Sequence, residues 1–245
     1  MHDGLQKNIL VVIPAYNEEA SLAQVVCDVR EAGFEDIAVV NDGSADGTQT
    51  VAESLGVILL NHPFNLGVGA AIQTGCKFAE EMGYDFVVQV DGDGQHDPHQ
   101  IPRLIEAVDT TGADLIVGSR FLEGPESYRV PRSRRIGILI LAWVISLIVR
   151  RRMTDTTSGF RAINRHVIEY FSHHYPTDYP EPESIVLLHR EGFQVGEVSC
   201  FMFERRGGNS SIGGMTSISY MIKVLLAILI NLFRTRTVCR RTPRC

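Results

Sequence analysis

Short apolar runs occur at intervals along the first half of the chain, separated by longer stretches of mixed polarity. Runs of this length, bounded by Gly, Pro or Asn, predict strands that are buried on both faces. They cover residues 9–13, 37–40, 57–60, 84–90 and 113–118. The stretches between them predict three helices. The first has Ser21 as its N-cap and runs to about Arg30, the second follows the loop 41–48 and ends at Leu55, and the third covers residues 65–83. Strands that alternate with helices predict an α/β fold with a mostly parallel, Rossmann-like sheet.

Charged residues follow several of these predicted strands. Asp42, Asp91 and Arg120 each come shortly after an apolar run. Ligands of open α/β sheets bind beyond the carboxyl ends of the strands, so we expect these three side chains to converge on one cleft. The alternative is that strand ends are polar only because loops are polar.

The segment Asp91-Gly92-Asp93-Gly94 carries two carboxylates one residue apart, directly after a predicted strand. Mg²⁺ and Mn²⁺ prefer oxygen ligands and are often held by one or two carboxylates together with substrate phosphates. The two glycines allow a tight turn and the close approach of a bulky anion. A solvated acidic turn is the other interpretation of this segment.

A longer apolar run, residues 136–149, lies in the second half between arginine clusters at 132–135 and 150–152. As a helix it would be about 21 Å long at ~1.5 Å per residue, which is shorter than a hydrocarbon core of ~30 Å. The basic ends favour a helix that lies in the headgroup region of a membrane, where arginine meets anionic lipid. A buried core helix is the alternative.

A second apolar run covers residues 218–233 and is followed by a basic tail to residue 245. One narrow, weakly polar stripe of Ser219, Lys223, Ala227 and Asn231 marks it as an amphipathic helix. Peripheral or half-inserted attachment to a membrane is favoured, because such an apolar helix is a poor soluble surface. Docking on the protein itself or on a second subunit is the alternative.

Charge is divided unevenly along the chain. Residues 1–119 carry 4 Lys/Arg and 19 Asp/Glu, whereas residues 120–245 carry 19 Lys/Arg and 10 Asp/Glu. The basic second half predicts an anionic partner, either a membrane surface or a phosphate. Nucleic acid is not expected, because the basic residues adjoin long aliphatic runs and do not alternate with aromatic residues.

Composition excludes several other classes of protein. A chain of 245 residues can bury one sizeable core or two small ones. Its five cysteines show no C-x-x-C spacing, which argues against zinc and disulfides and favours a reducing compartment. We expect no secretory signal, because no basic-then-apolar leader is visible, and the phosphate-binding pattern G-x-x-x-x-G-K-[ST] is absent.

Four motifs together resemble the family 2 glycosyltransferases, over roughly the first 210 residues. They read V-I-P-A-Y-N-E (12–18), V-N-D-G-S-A-D-G-T (40–48), N-L-G-V-G (65–69) and D-G-D-G-Q-H-D-P (91–98). Two further motifs, D-T-T-S-G-F-R (155–161) and R-R-G-G-N-S-S (205–211), support a resemblance to the dolichyl-phosphate mannosyltransferase-like subgroup. This resemblance implies a GT-A fold, with a catalytic domain over 1–212 and an amphipathic helix and tail over 213–245. Within the domain it implies a nucleotide-sugar half, 1–120, and an acceptor half, 121–212, that includes the interface helix.

The resemblance also implies roles for residues at matching positions. Asp91 and Asp93 would hold Mg²⁺ or Mn²⁺, with Gln95 as a further ligand, and Asp42 would hold a uracil or guanine edge. The donor's base and ribose would be lined by Pro14, Tyr16 and Glu18.

Arginines and carboxylates would complete the reaction site. Arg120 and Arg205 would meet phosphates of the donor or the acceptor, and Arg134 belongs to a cluster that would bind a lipid phosphate. A hydroxyl acceptor would need a general base. The candidates are Asp93 and the Glu181–Glu183 pair, and within that pair we select Glu183. The alternative is that Glu183 lies in the first turn of a helix and only stabilises the helix dipole.

The expected activity is inverting, metal-dependent transfer of a sugar from a UDP- or GDP-linked donor to a polyprenyl phosphate of dolichyl or undecaprenyl type. We expect it at the cytoplasmic face of a membrane, in a peripheral or monotopic protein with a separate membrane partner or a second copy of itself. One alternative is a family 2 enzyme that acts on a glycan or other hydroxyl in cell-surface polysaccharide synthesis. Another is a non-catalytic, membrane-bound scaffold with the same fold.

Overall fold

A single seven-stranded sheet organises the protein, in a computed structural model that describes residues 7–122, 132–203 and 223–230. The strands are β1 (Ile9–Ala15), β2 (Ile37–Asn41), β3 (Ile58–Asn61), β4 (Phe86–Gln89), β5 (Leu115–Ser119), β6 (Arg161–Asn164) and β7 (Val195–Ser199). Their order across the sheet is β3-β2-β1-β4-β6-β5-β7. All neighbours run parallel except β6, which is antiparallel to both β4 and β5. The expected α/β fold with a mostly parallel sheet is confirmed.

Helices cover both faces of the sheet. They are α1 (Leu22–Glu31), α2 (Thr48–Ser54), α3 (Val68–Met82), α4 (Ile101–Thr111), α5 (Arg132–Val149), α6 (Arg165–His173), α7 (Pro180–Arg190) and α8 (223–230), with a 3₁₀ turn at Pro98–Gln100. Along β1, Leu10 and Val12 pack into the core on one face, and Val11 and Ile13 pack into the core on the other. Burial on two faces explains why these strands read as continuous apolar runs.

The five predicted strands are present, with ends that differ by a few residues. The Ser21 prediction is only half right. Ser21 occupies the position before α1, but its side chain makes no capping bond to that helix. Instead its hydroxyl donates to Oε2 of Glu18 at 2.8 Å. Gly83 ends α3 in the left-handed conformation, as a glycine at that position favours.

Helix α5 has one buried and one exposed apolar face, so it is in part a core helix, and its contact with a membrane stays a prediction. It begins at Arg132, four residues before the predicted start. Ile138, Leu141, Ala142 and Ile145 lie in the core, whereas the other side exposes large apolar side chains. The exposed ones are Ile136, Leu139, Ile140, Trp143 and Leu147.

The second predicted amphipathic helix is described only as α8, residues 223–230. Val224 and Ile228 are buried in the core, and Leu226, Leu229 and Ile230 are exposed. The rest of the run and the basic tail lie outside the described residues, as does the predicted domain boundary at 212. Across the described ranges, none of the helices combines the length and the apolar character needed to cross a bilayer.

Candidate active site

The loops that follow β1 and β2 are joined by hydrogen bonds. The backbone N–H of Asn17 donates to Oγ of Ser44 at 3.0 Å, and its side-chain oxygen accepts from the N–H of Ala45 at 2.9 Å. The N–H of Glu18 donates to Oγ1 of Thr48 at 2.9 Å. Asn17 has a positive φ of 58°, which asparagine tolerates better than most residues. The predicted donor loop, residues 14–18, is therefore held against the 41–48 motif.

Asp42 is buried and holds the loop that leads into α3. Its Oδ1 accepts from Nδ1 of His62 at 2.7 Å and from the N–H of Leu66 at 2.8 Å, and its Oδ2 accepts from the N–H of Gly67 at 2.8 Å. Charge-assisted bonds of this kind fix a carboxylate firmly. The contact between Asp42 and a nucleotide base stays a prediction.

The acidic loop after β4 is shaped by its own side chains. The N–H of Asp91 donates to Nδ1 of His96 at 3.0 Å, and the N–H of Gln95 donates to Oδ1 of Asp93 at 3.0 Å. The His96 ring stacks on Phe160, with 4.9 Å between ring centroids. His96 has no role in the sequence-based prediction, and here it is part of the loop that carries both acids.

The acidic loop lies directly against the predicted donor loop. A Cβ atom added at Gly92 would be 3.3 Å from the carbonyl oxygen of Pro14 and 3.4 Å from Cγ of Glu18. Across the sheet, the N–H of Asp42 donates to the carbonyl oxygen of Ala15 at 2.9 Å. The structure thus brings the loops after β1, β2 and β4 together at the carboxyl edge of the parallel strands, where the sequence placed them. Tyr16, on the same edge, is about half exposed.

The carboxylate of Asp91 is surrounded closely on one side and open on the other. Its Oδ1 accepts from Nε2 of Gln89 at 3.1 Å, and Nε2 of His96 lies 3.6 Å from its Oδ2. A Cβ atom at Gly159 would be only 2.8 Å from Oδ2, so the backbone before β6 can approach Asp91 only because residue 159 is glycine. The side chain of Asp91 remains 35% exposed.

These residues fit a divalent cation that also binds a substrate. Asp91 and Asp93 offer hard oxygen donors, and Gly159 leaves space beside Asp91. In the described part of the chain, no three His, Cys, Asp or Glu side chains are grouped so as to hold an ion by themselves. Mg²⁺ is commonly bound by one or two carboxylates and completed by phosphate oxygens and water. The donor set therefore suits a metal that arrives with a diphosphate.

Arg120 forms a buried network with the loop before β6. Its Nε lies 2.6 Å from Oδ2 of Asp155, and its Nη2 lies 2.8 Å from Oδ1. The N–H groups of Thr154 and Asp155 donate to the carboxylate of Glu197, whose pKa is raised by burial although these bonds oppose the shift. A phosphate contact by Arg120 stays a prediction, and it would require the guanidinium to share or leave Asp155.

The two glutamates at the start of α7 differ in their surroundings. Glu183 is buried, and its Oε1 accepts from the N–H of Tyr179 at 3.2 Å, as a carboxylate at a helix N-terminus does. Burial raises the pKa of Glu181, where Arg161 opposes the shift and Asp91 adds to it. Glu183 as a general base stays a prediction.

Arg161 reaches the same region from β6. It is buried and donates from Nε to the carbonyl oxygen of Ser158 at 2.7 Å and from Nη1 to Oγ of Ser184 at 2.7 Å. The side chain of Arg134 and all of Arg205 lie outside the described residues, so their predicted phosphate contacts remain predictions.

A cavity of about 550 Å³ runs along α5. Apolar residues line most of it, among them Phe121, Leu139, Trp143 and Leu147. Arginines border the cavity as well, namely Arg135, Arg150, Arg151 and Arg152. An apolar groove with a basic border suits a molecule that has a hydrocarbon part and an anionic part.

The chain matches the model of "Glycosyl transferase family 2" over residues 10–172. It is 35% identical over 224 residues to an undecaprenyl-phosphate mannosyltransferase of Micrococcus luteus, covering 84% of this chain and 88% of that protein. It is 31% identical over 211 residues to a UDP-N-acetylglucosamine–dolichyl-phosphate N-acetylglucosaminyltransferase of Methanococcus voltae, covering 78% of this chain and 84% of that protein. A polyprenol monophosphomannose synthase of Mycolicibacterium smegmatis is 33% identical over 225 residues, covering 88% of this chain and 84% of that protein.

The fold is similar to that of solved structures. Glucosyl-3-phosphoglycerate synthase from Mycobacterium tuberculosis, in complex with Mn²⁺, UDP and glucosyl-3-phosphoglycerate, superposes with a TM-score of 0.69 at 21% identity. The match covers 91% of this chain and 80% of that one. The same protein with Mg²⁺ and UDP gives a TM-score of 0.68. These matches confirm the expected GT-A fold.

Proposed function

Because the chain belongs to glycosyltransferase family 2, we propose that it transfers a sugar from a nucleoside-diphosphate sugar to a polyprenyl phosphate at a membrane surface. We further propose that the reaction uses Mg²⁺ or Mn²⁺ and inverts the anomeric centre. One observation carries the proposal: the loop with Asp91 and Asp93 packs against Pro14 and Glu18 at the carboxyl edge of the sheet. Three relatives of 31–35% identity are named for transfer to a polyprenyl-type lipid phosphate.

The donor would lie across the loops after β1, β2 and β4. Asp42 would meet the base, Tyr16 and Glu18 would line the base and ribose, and Asp91 and Asp93 would hold the metal at the diphosphate. When bound, the metal supplies the positive charge that stabilises the departing diphosphate. Gln89, His96 and Gly159 hold Asp91 in place before the donor arrives, so little reorganisation is needed on binding.

The chemistry of the acceptor favours a lipid phosphate over a hydroxyl. A phosphate monoester has a second pKa near ~6, so it is already anionic at neutral pH and needs no general base. One of its oxygens forms the new bond to the anomeric carbon, and the bond to the nucleoside diphosphate breaks with its electron pair on the leaving group. Entry from the opposite face inverts the carbon. Glu183, the predicted base for a hydroxyl acceptor, accepts from the N–H of Tyr179, and its role as a base stays a prediction.

Two exposed apolar surfaces support attachment to a membrane. Helix α5 exposes Trp143 and Leu147 near the arginines at 150–152, and α8 exposes Leu226, Leu229 and Ile230. Exposed apolar faces of this kind bind interfaces, and arginine adds attraction to anionic lipid. We propose a peripheral or monotopic enzyme on the cytoplasmic face, assisted by a separate membrane protein or by a second copy of the chain.

Transfer of radiolabel to lipid tests this function directly. The purified chain is incubated in detergent with labelled UDP- and GDP-sugars, Mn²⁺ and a short-chain polyprenyl phosphate, and the organic phase is counted. We expect labelled lipid, and a loss of at least about 100-fold in Asp91→Asn, because Asn lacks the negative charge that would hold the metal, and a bound metal supplies several kcal/mol of charge stabilisation. Asp109→Asn, on the exposed face of α4, is the matched control and should retain activity.

The other outcomes identify the alternatives. Label that enters a glycan or another hydroxyl acceptor, but not the lipid, would favour a cell-surface polysaccharide enzyme. An absence of turnover with every donor would favour the scaffold. Activity that survives Asp91→Asn unchanged would remove the metal assignment, and a retained anomeric configuration in the product would remove inversion.

A further inference from the structure

Three hydrogen-bonded side chains, the buried Asp42 and the partly buried His62 and Thr74, connect the end of β2 to α3. Nδ1 of His62 lies 2.7 Å from Oδ1 of Asp42, and Nε2 of the same ring lies 2.9 Å from Oγ1 of Thr74 on α3. A carboxylate only accepts hydrogen bonds, so Nδ1 carries the proton. In the neutral ring Nε2 then accepts from the Thr74 hydroxyl, which fixes the ring's tautomer and orientation.

The hydrogen bonds to Asp42 leave it little room for a ligand. A carboxylate offers about four acceptor positions, two on each oxygen. His62 and the N–H of Leu66 fill both positions of Oδ1, and the N–H of Gly67 fills one position of Oδ2. Within the described ranges, one position on Oδ2 remains for a further donor.

One remaining acceptor distinguishes the nucleotide bases. Uracil presents a single N–H, at N3, between two carbonyl oxygens. Guanine presents adjacent N–H donors at N1 and N2, and it needs both oxygens of a carboxylate side by side. Cytosine and adenine turn a ring nitrogen acceptor towards this position, which a carboxylate repels. A site that leaves a buried donor unpaired rejects that ligand strongly.

We propose that His62 is a positioning residue that sets base specificity. By occupying Oδ1 of Asp42, it limits the carboxylate to one donor and selects a uridine-linked sugar over a guanosine-linked one. This inference rests on the proposed function, in which Asp42 faces the base. His62 itself touches no substrate and acts through Asp42, with Thr74 holding its ring.

Nucleotide binding by the full-length protein tests the proposal. Titration calorimetry with Mn²⁺ and UDP, GDP or CDP gives the three dissociation constants. We expect UDP to bind roughly 100-fold more tightly than GDP, a preference typical of a site that leaves one polar group of the wrong ligand unpaired. Equal or tighter binding of GDP overturns the inference, and label transfer from a GDP-sugar to lipid would then leave the proposed function intact.

Variants of His62 and Thr74 show whether His62 sets base specificity or only supports the structure around Asp42. His62→Leu frees a position on Oδ1, so the UDP-over-GDP preference should fall at least about tenfold, even if both affinities drop. His62→Asn keeps a donor towards Asp42 and should retain the preference. Thr74→Val removes the hydroxyl that orients the ring, gives an intermediate preference, and serves as the test if His62→Leu does not fold.

Two results would overturn the role of His62. If His62→Leu weakens UDP and GDP by the same factor, the ring is only a structural support. If the wild-type protein binds no nucleotide with Mn²⁺, the inference and the donor site fail together. The lipid-labelling assay, which does not depend on base preference, shows whether the proposed function fails as well.

Discussion

Arg120 and Asp155 form a buried, two-bonded ion pair between the end of β5 and the loop before β6. The two contacts are 2.6 and 2.8 Å long, and the side chains are 9% and 0% exposed. The same loop continues to Gly159, which packs against Asp91. This pair therefore supports the candidate metal loop from a distance, through the backbone between residues 155 and 159.

Removing one partner of this pair should destabilise the protein strongly. Asp155→Ala leaves the Arg120 charge buried without its partner, which typically lowers the free energy of unfolding by about 3–5 kcal/mol. Urea denaturation measures the change. Asp109→Ala, which removes the exposed Lys7 pair, is the control and should change stability by about 1 kcal/mol or less. Equal effects of the two variants would contradict the structural role of the buried pair.

His96 should tune the metal site through the backbone of Asp91. His96→Phe keeps a ring for Phe160 to stack on but removes the acceptor for the Asp91 N–H. Loss of such a supporting bond commonly weakens metal binding about 10–100-fold, so the Mn²⁺ concentration for half-maximal transfer should rise by that factor. His99→Phe alters an exposed ring three residues away and should leave the metal requirement unchanged. An identical Mn²⁺ dependence in wild type and His96→Phe would refute this role.

Trp143 offers a direct reading of membrane binding. It is the only tryptophan of the chain and is 64% exposed on the apolar face of α5. Transfer of the indole ring from water into the interface should shift its emission to shorter wavelength. We expect this shift with vesicles that contain anionic lipid, and a weaker one with neutral vesicles or at high salt, because arginine attraction is screened.

The control for this experiment keeps the fluorophore. Leu147→Ser lies on the same exposed face and should weaken vesicle binding without altering the core. Emission that stays unchanged at every lipid concentration would contradict insertion of this face into a membrane.

Glu197 should make stability depend on pH. Its folded pKa is raised by burial above the ordinary glutamate value of about 4.5. A raised pKa means that the associated stability is fully present below the unfolded pKa and is lost as pH rises through the folded pKa. The melting temperature of the wild type should therefore decline across that window.

A glutamine at this position carries no titrating proton. Glu197→Gln should flatten the decline in melting temperature, whatever its constant offset from lost hydrogen bonds to Thr154. Glu53→Gln, at an exposed position on α2, should keep the slope of the wild type. A slope in Glu197→Gln as steep as in the wild type would assign the pH dependence to other groups.

The sequence predicts β1, β2, β4 and β5 because they are largely buried and read as continuous apolar runs, and it also predicts β3, an edge strand that is apolar but only partly buried. Strands β6 and β7 were not predicted. Strand β6 contains Arg161, whose charge is buried among the Ser158 carbonyl and the Ser184 hydroxyl, and β7 contains a glycine and a glutamate. Ser184 is 23 residues from Arg161, and the partners of Glu197, Thr154 and Asp155, are 43 and 42 residues away, so the local sequence does not indicate that these charged residues belong to strands.

The candidate site was predictable to a similar extent. The rule that ligands lie at the carboxyl ends of parallel strands located Asp42, Asp91 and their loops. The roles of His62 and His96 were missed. His62 is 20 residues from Asp42 in the chain, and a hydrogen bond across such a distance requires the folded sheet. His96 is close to Asp91 in sequence, but the bond joins a ring nitrogen to a backbone N–H, which no spacing pattern reveals.

The antiparallel strand β6 also has a consequence for how the chain reaches its native state. It pairs with β4 on one side and β5 on the other, so before residue 161 emerges from the ribosome both strands present unsatisfied edges. Open edges of apolar strands can pair with other chains, so the nascent protein is vulnerable to aggregation until β6, and then β7 on the other side of β5, have been made. A truncation before β6 would therefore give a fragment that aggregates and not a smaller folded enzyme.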